Sequence, residues 1–180
     1  MNVLDVAENS VRAQASLIEI TVEVDTEQDT LKIQIRDDGC GMSKEQIQKV
    51  QDPFFTTRTT RKVGLGIPFF KQAAESTGGS FLITSQEGVG TSVEAVFVLS
   101  HIDRMPLGDM ASTIHTLVIF NEEIHFRYTY KFNGQEFVLD TEEIREVLGE
   151  GISFTELEVS QFIKEYLVSN QQETDGGADI

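Results

Sequence analysis

Two alternating stretches near the start of the chain constrain its fold most. In LIEITVEV, Ile18, Ile20, Val22 and Val24 alternate with Glu19, Thr21 and Glu23, the two-residue period of a half-buried strand. A polar turn, DTEQD, leads into LKIQIRD, where Leu31, Ile33 and Ile35 take the inward face. Asp37 keeps their parity, so a strand that persists that far points a carboxylate to the core side, while Asp38 points the other way. An inward carboxylate is costly unless it is hydrogen-bonded. Asp37 therefore needs a partner.

The flanking segments fill in a layered fold. From Asn2 to Ala15 a helix is expected, with Leu4, Ala7, Val11 and Ala15 on one stripe and Asp5, Asn9 and Arg12 on another. Ser43 opens a short helix through a capping box with Gln46. A loop rich in Thr and Arg runs from Asp52 to Val63. A helix follows from about Ile67, with Pro68 in its first turn and Gly78-Gly79 at its stop. SFLITS and TSVEAVFVL are strands joined by QEGVG. This order predicts an α/β (α+β) two-layer sandwich, with helices on one face of a mostly antiparallel sheet.

The pattern lapses over 101–109, a linker, and resumes in a small annex over 110–170 expected to hold three strands and two helices. There Ile124, Phe126, Tyr128, Tyr130 and Phe132 share one strand face. Asn133-Gly134 is a hairpin turn, and Asp140 and Ser153 each precede a helix. The polar tail, 171–180, is expected to be disordered.

Charge narrows the function classes. The 180 residues include 30 acidic and 14 basic side chains, a net charge of −16. The first hundred residues carry −5 and the remaining eighty −11. Neutralising nucleic-acid phosphates takes clustered Lys and Arg, so no nucleic-acid partner is expected. The single cysteine, Cys40, permits no internal disulfide, which fits a reducing compartment. No stretch reaches the ~20 apolar residues of a membrane span, and the N-terminus lacks a signal-peptide pattern. A soluble, cytoplasmic protein without a membrane partner is the expectation.

The commoner nucleotide signatures are absent: there is no G-x-x-x-x-G-K-[ST] loop and no H-R-D or D-F-G pair. Instead LDVAENSVRAQA, DDGCGM, DPFFTTR, KVGLGIPFFKQAAESTGG and EGVGT occur in this order over residues 3–99. Together they resemble the N box, the F box and the three glycine boxes of the GHKL superfamily, which includes histidine kinases, anti-sigma-factor kinases, gyrase, heat-shock chaperones and mismatch-repair ATPases. The resemblance implies a Bergerat-type ATP-binding fold over 1–100, with ATP and Mg²⁺ as ligands.

It also implies roles for individual residues. Asn9 would coordinate Mg²⁺, a hard ion that prefers oxygen ligands, and Asp5, one turn earlier, would act as general base. Asp37 would accept the adenine amino proton, and Gly39 and Gly41 would let the backbone approach the ring. Asp52 to Val63 would be the lid, with Arg58, Arg61 and Lys62 near the phosphates. Gly64 and Gly66 would offer N–H groups to phosphate ahead of a helix. Arg12, Met42, Val63, Leu65 and Thr91 complete the nucleotide-binding set, although Gly90 and Thr91 equally suit a hairpin turn.

Two departures stand out. Lys62 occupies the place where histidine kinases often have another glycine. The chain also starts almost on the N box, so elements usually found before it would be missing or trimmed. His101, His115 and His125 all follow the ATP domain and read as structural. The resemblance ranks a stand-alone kinase acting on a phosphoacceptor protein first, ahead of an ATP-hydrolysing switch of the mismatch-repair or chaperone type and a nucleotide-controlled binding module. It also allows a homodimer.

Overall fold

The computed structural model describes residues 3–54, 65–149 and 151–180. Its centre is a six-stranded sheet. The strands are β1 (Leu17–Asp25), β2 (Thr30–Asp37), β3 (Ser80–Gln86), β4 (Gly90–Val98), β5 (His125–Phe132) and β6 (Gln135–Asp140), in the spatial order β3-β4-β2-β1-β5-β6. Every neighbouring pair is antiparallel except β1 and β5, which run parallel with Ile18 beside Phe126 and Val24 beside Phe132.

The expected alternation sets the two faces. Ile18, Ile20, Val22, Val24, Leu31, Ile33 and Ile35 are buried, and Val93, Ala95 and Phe97 of β4 join them. The opposite face is polar and carries cross-strand ion pairs, such as Lys32 to Glu94 at 3.0 Å. One apolar and one wet face is the usual division of an antiparallel sheet.

Helices α1 (Val3–Arg12), α3 (Gly66–Ser76), α4 (Met110–Phe120) and α6 (Leu157–Asp175) cover the apolar face. They pack side by side in the order α3, α1, α4, α6. Two shorter helices, α2 (Lys44–Val50) and α5 (Thr141–Leu148), lie beside β3 and β5 respectively. The expected capping box of α2 is present: the Gln46 N–H donates to Ser43 Oγ, and the Ser43 N–H donates to Gln46 Oε1. α3 ends as expected at Gly78-Gly79.

The C-terminal part differs from expectation. The described residues of 110–170 form two strands and three helices rather than three strands and two helices. Met110–Phe120 is helical because Asp109 caps it, accepting from the Ser112 N–H at 2.8 Å. The buried positions Met110, Ala111, Ile114, Leu117 and Val118 follow a helical period. β5 and β6 do not form a separate sheet; they extend the first one beyond β1. The tail is ordered beyond Gln171. α6 runs to Asp175 with Thr174 buried, and the Leu107 N–H donates to the Ile180 carbonyl at 2.9 Å. α6 also starts a turn later than its expected Ser153 cap, at Leu157.

Candidate functional site

Asp37 ends β2 in phase with the buried Leu31, Ile33 and Ile35, and it has the partner its position demands. Its Oδ2 accepts from the Ser10 hydroxyl of α1 at 2.5 Å, and its Oδ1 accepts from the Gly39 N–H at 3.0 Å. The sequence reading missed Ser10. The available signal was a serine on the same helical stripe as Val3, Val6 and Ala7, all of them buried as Ser10 is. Asp38 points away, as expected. Burial alone would raise its carboxyl, but the Ser16 hydroxyl and the N–H groups of Leu17 and Ser16 outweigh that and hold its pKa below the ordinary value.

After Asp37 the chain threads a narrow passage. A Cβ on Gly39 would sit 2.7 Å from the Ala13 carbonyl oxygen. Gly41 has φ +67°, and a Cβ there would lie 2.0 Å from the Gln86 carbonyl oxygen. Only glycine fits either place. The Cys40 N–H donates to the Ala13 carbonyl, and the Gly88 N–H donates to the Cys40 carbonyl. The loop is thus pinned between the end of α1 and the β3–β4 turn.

Thr91 lies directly across from Asp37 in the β2–β4 register. Its Oγ1 is 2.8 Å from the Ser85 Oγ, which also accepts from the Met42 N–H at 2.8 Å. Ser85, a second residue the sequence reading missed, therefore joins Met42 and Thr91. It lacked a signal because the contact is long-range and serine is common in strands.

α1 presents the remaining polar group. Asn9 is half-buried; its Oδ1 accepts a 3.4 Å contact from Arg12 Nη1, and its Nδ2 is buried with no hydrogen-bond partner. The expected metal ligand, the amide oxygen, is thus turned to Arg12, and the nitrogen is the orphan. Arg12 also pairs with Glu8 at 2.9 Å. Asp5, one turn earlier, abuts the start of α3: a Cβ on Gly66 would lie 3.0 Å from Asp5 Cβ. Leu65, at the N-cap of α3, makes no side-chain cap bond. The first N–H groups of α3 therefore receive no cap from the Leu65 side chain.

The structure therefore gathers Asp5, Asn9, Arg12 and Gly66 at one corner, and Asp37, Gly39, Gly41, Met42 and Thr91 around the end of β2. Ser10 links the two groups. Arg58, Arg61, Lys62, Val63 and Gly64 lie outside the described residues. The histidines make local bonds: His101 Nδ1 accepts from the Asp103 N–H, His115 meets Ser160, and His125 meets Asp140. No helix among the described residues is long and apolar enough to cross a membrane.

Comparison with known proteins supports the fold. Residues 2–101 match the model of the "Histidine kinase-, DNA gyrase B-, and HSP90-like ATPase" family. A putative sensor protein of Shewanella frigidimarina is 31% identical over 104 residues, 57% of this chain and 16% of that protein. Sensor histidine kinase WalK of Bacillus subtilis is 31% identical over 81 residues, 42% of this chain and 13% of its own. Sporulation kinase E of the same organism is 34% identical over 65 residues, 36% of this chain and 9% of its own. The chain thus spans less than a fifth of the length of these relatives. Since the family match covers more than half of the chain and all the elements that build this corner, the chain belongs to the histidine kinase-, DNA gyrase B- and HSP90-like ATPases.

Proposed function

We propose that the chain binds Mg-ATP between Asp37, Asn9 and the start of α3, and transfers its γ-phosphoryl group to a separate protein. The observation that carries this reading is the orphaned Asn9 amide, buried one residue from the serine that holds Asp37. A buried, unpaired amide group costs ~1–3 kcal/mol, and phosphate oxygens at this corner would remove that cost.

The other residues fit the same ligand. A carboxylate offers about four lone-pair sites. Asp37, bonded to Ser10 and Gly39, keeps capacity for an adenine amino group. The N–H groups at the start of α3, which the Leu65 side chain does not cap, would suit phosphate. Asp5 stands beside them and would take a proton from an acceptor side chain. Arg12, together with Arg58 and Lys62 of the expected lid, would balance phosphate charge. A flip of the Asn9 amide would exchange Oδ1 and Nδ2 and bring the oxygen to the ligand side, where it would hold Mg²⁺ in place of the nitrogen's phosphate contact. Bound Mg²⁺ supplies neutralisation of charge on the phosphate oxygens. The kinase is preferred to the ATP-hydrolysing switch because the relatives are named as sensor proteins and kinases. The acidic surface speaks against a nucleic-acid-bound role.

The fate of the γ-phosphate tests this. With γ-labelled ATP, Mg²⁺ and host extract, label should reach a discrete protein. Asp37→Asn should abolish labelling together with nucleotide binding, whereas Asp5→Asn should abolish labelling alone. Steady release of free phosphate without a labelled protein would replace the kinase by the switch. Absence of any ATP binding would sink the nucleotide reading.

A further inference from the structure

The sheet ends at β6, and among the described residues nothing pairs with that edge. Its backbone phase follows from the hairpin. Asn133 and Gly134 take φ of 47° and 86°, a two-residue turn that closes on the pair Phe132–Gln135. The closing pair exchanges both hydrogen bonds, as does every second pair after it. Gln135, Phe137 and Leu139 therefore direct their N–H and C=O groups to β5, and Glu136 and Val138 direct theirs outward. The far side of β5 agrees, since the N–H groups of His125 and Asn133 donate to the Ser16 and Val24 carbonyls.

A shelf of aromatic side chains overhangs this edge. α6 lies on β5 and β6 with α4 on one side, where Ser160 meets His115 at 2.9 Å. At ~100° per residue, Phe162 and Tyr166 fall on the opposite flank. The Tyr166 ring is 5.8 Å from Phe137 of β6 and stacks on Phe162 at 6.1 Å. Phe162 is 54% exposed and Tyr166 37%. An open edge beside exposed aromatics is a template for strand pairing that proteins usually block with lysine, proline or a bulge. Residues 135–140, QEFVLD, contain neither lysine nor proline, and the β5–β6 register runs without a bulge.

Charge selects the occupant. Glu136 stands on the edge strand paired with Lys131 at 3.3 Å, Glu165 and Glu173 are exposed on α6, and residues 101–180 carry a net charge of −11. We infer that the β6 edge and the Phe162–Tyr166 shelf dock an extended, basic segment of a partner protein. The segment adds as a seventh strand, with apolar side chains on the shelf side alternating with Lys or Arg. A second copy of this chain would bring another −16 to the same surface. The surface lies three strands from Asp37 and does not depend on the nucleotide reading.

The probe is an acetylated, amidated nonapeptide alternating lysine with valine and phenylalanine, titrated into the full chain at physiological salt. Anisotropy should show saturable binding. Amide exchange should slow at Glu136 and Val138 and change little at Phe137 and Leu139, which β5 already protects. Val138→Pro removes an outward N–H at an edge position where proline is tolerated, and Phe162→Ser removes part of the shelf. Each should weaken binding about tenfold or more, roughly 1.4 kcal/mol, while thermal melts confirm folding. Undiminished binding to Val138→Pro overturns the inference, as does equal affinity for a peptide of the same charge without the alternation. A concentration-dependent dimer abolished by Val138→Pro also overturns it, by giving the edge to a second copy.

Discussion

The two ends of the sheet differ in how they treat buried polar groups. On the β2–β4 side, polar side chains are drawn inward and left partly unsatisfied: Asp37 rests on one hydroxyl and one N–H, and the Asn9 amide nitrogen has nothing. On the β5–β6 side most polar groups are closed on one another. Asp140 accepts from His125 at 2.7 Å and from Arg127 Nε at 3.1 Å while capping α5, and Tyr130 donates to Asp175 at 2.9 Å. The core there is aromatic, built on Phe126, Tyr128, Tyr130, Phe137 and Phe154. Polar groups held ready for a ligand mark a site, whereas groups satisfied internally mark a scaffold. Tyr128 and Gln171 are exceptions on the scaffold side, since the Tyr128 hydroxyl and the Gln171 Oε1 are buried without a partner.

The comparison breaks if the two ends are separate folding units, and β1 is where to strike. It pairs with β2 on one side and β5 on the other. Ile20→Ala, at a position 1% exposed, should cost ~2–5 kcal/mol and shift both ends in a single denaturation transition. Two transitions would refute a shared core. Next in size is Ser10→Ala, which removes the hydroxyl from Asp37. It should cost ~1–3 kcal/mol of stability and lower ATP affinity roughly tenfold, about 1.4 kcal/mol, in isothermal titration. A loss of stability with unchanged affinity would make Ser10 part of the scaffold only.

The smallest effect tests the scaffold end. Burial would raise the Asp140 carboxyl, but His125, the Glu142 N–H and Arg127 outweigh it and hold its pKa below the ordinary 3.8. A depressed folded-state value stabilises fully above the unfolded pKa and is lost as pH falls through the folded one. Stability should therefore decline below about pH 4. Asp140→Asn should flatten that acid limb and cost up to ~1 kcal/mol through the lost charge pairing with His125 and Arg127, since asparagine caps a helix about as well as aspartate, with ATP binding unchanged. An altered ATP affinity in this variant would blur the division between the ends.

The nucleotide end was the more legible in the sequence. Period-two alternation located β1 and β2 and put Asp37 on the inward face, and Ser43 with Gln46 marked α2. Those signals are local, and the tertiary fold has no reason to override them. Ser10 and Ser85 escaped because a hydroxyl that bridges elements looks like any other serine until its partner is in place. The C-terminal part misled for a different reason. Residues 110–120 have no element of their own in the sequence pattern, and the Asp109 cap with a helical burial period makes them a helix. α6 continues past Gln171 because Thr174 is buried and Asp175 bonds Tyr130, both long-range facts. The placement of β5 beside β1 depends on a pairing that spans about a hundred residues, which no local pattern encodes.

That pairing has a consequence for the chain as it is made. β1 is complete long before its parallel neighbour exists. At ~5–20 residues per second of synthesis, it waits roughly 5–20 s with one side of its backbone unpaired. The nascent chain therefore carries a transient, apolar strand edge at its centre, and nucleotide binding by α1, β2 and β4 in that interval would be an early event performed on an unfinished sheet.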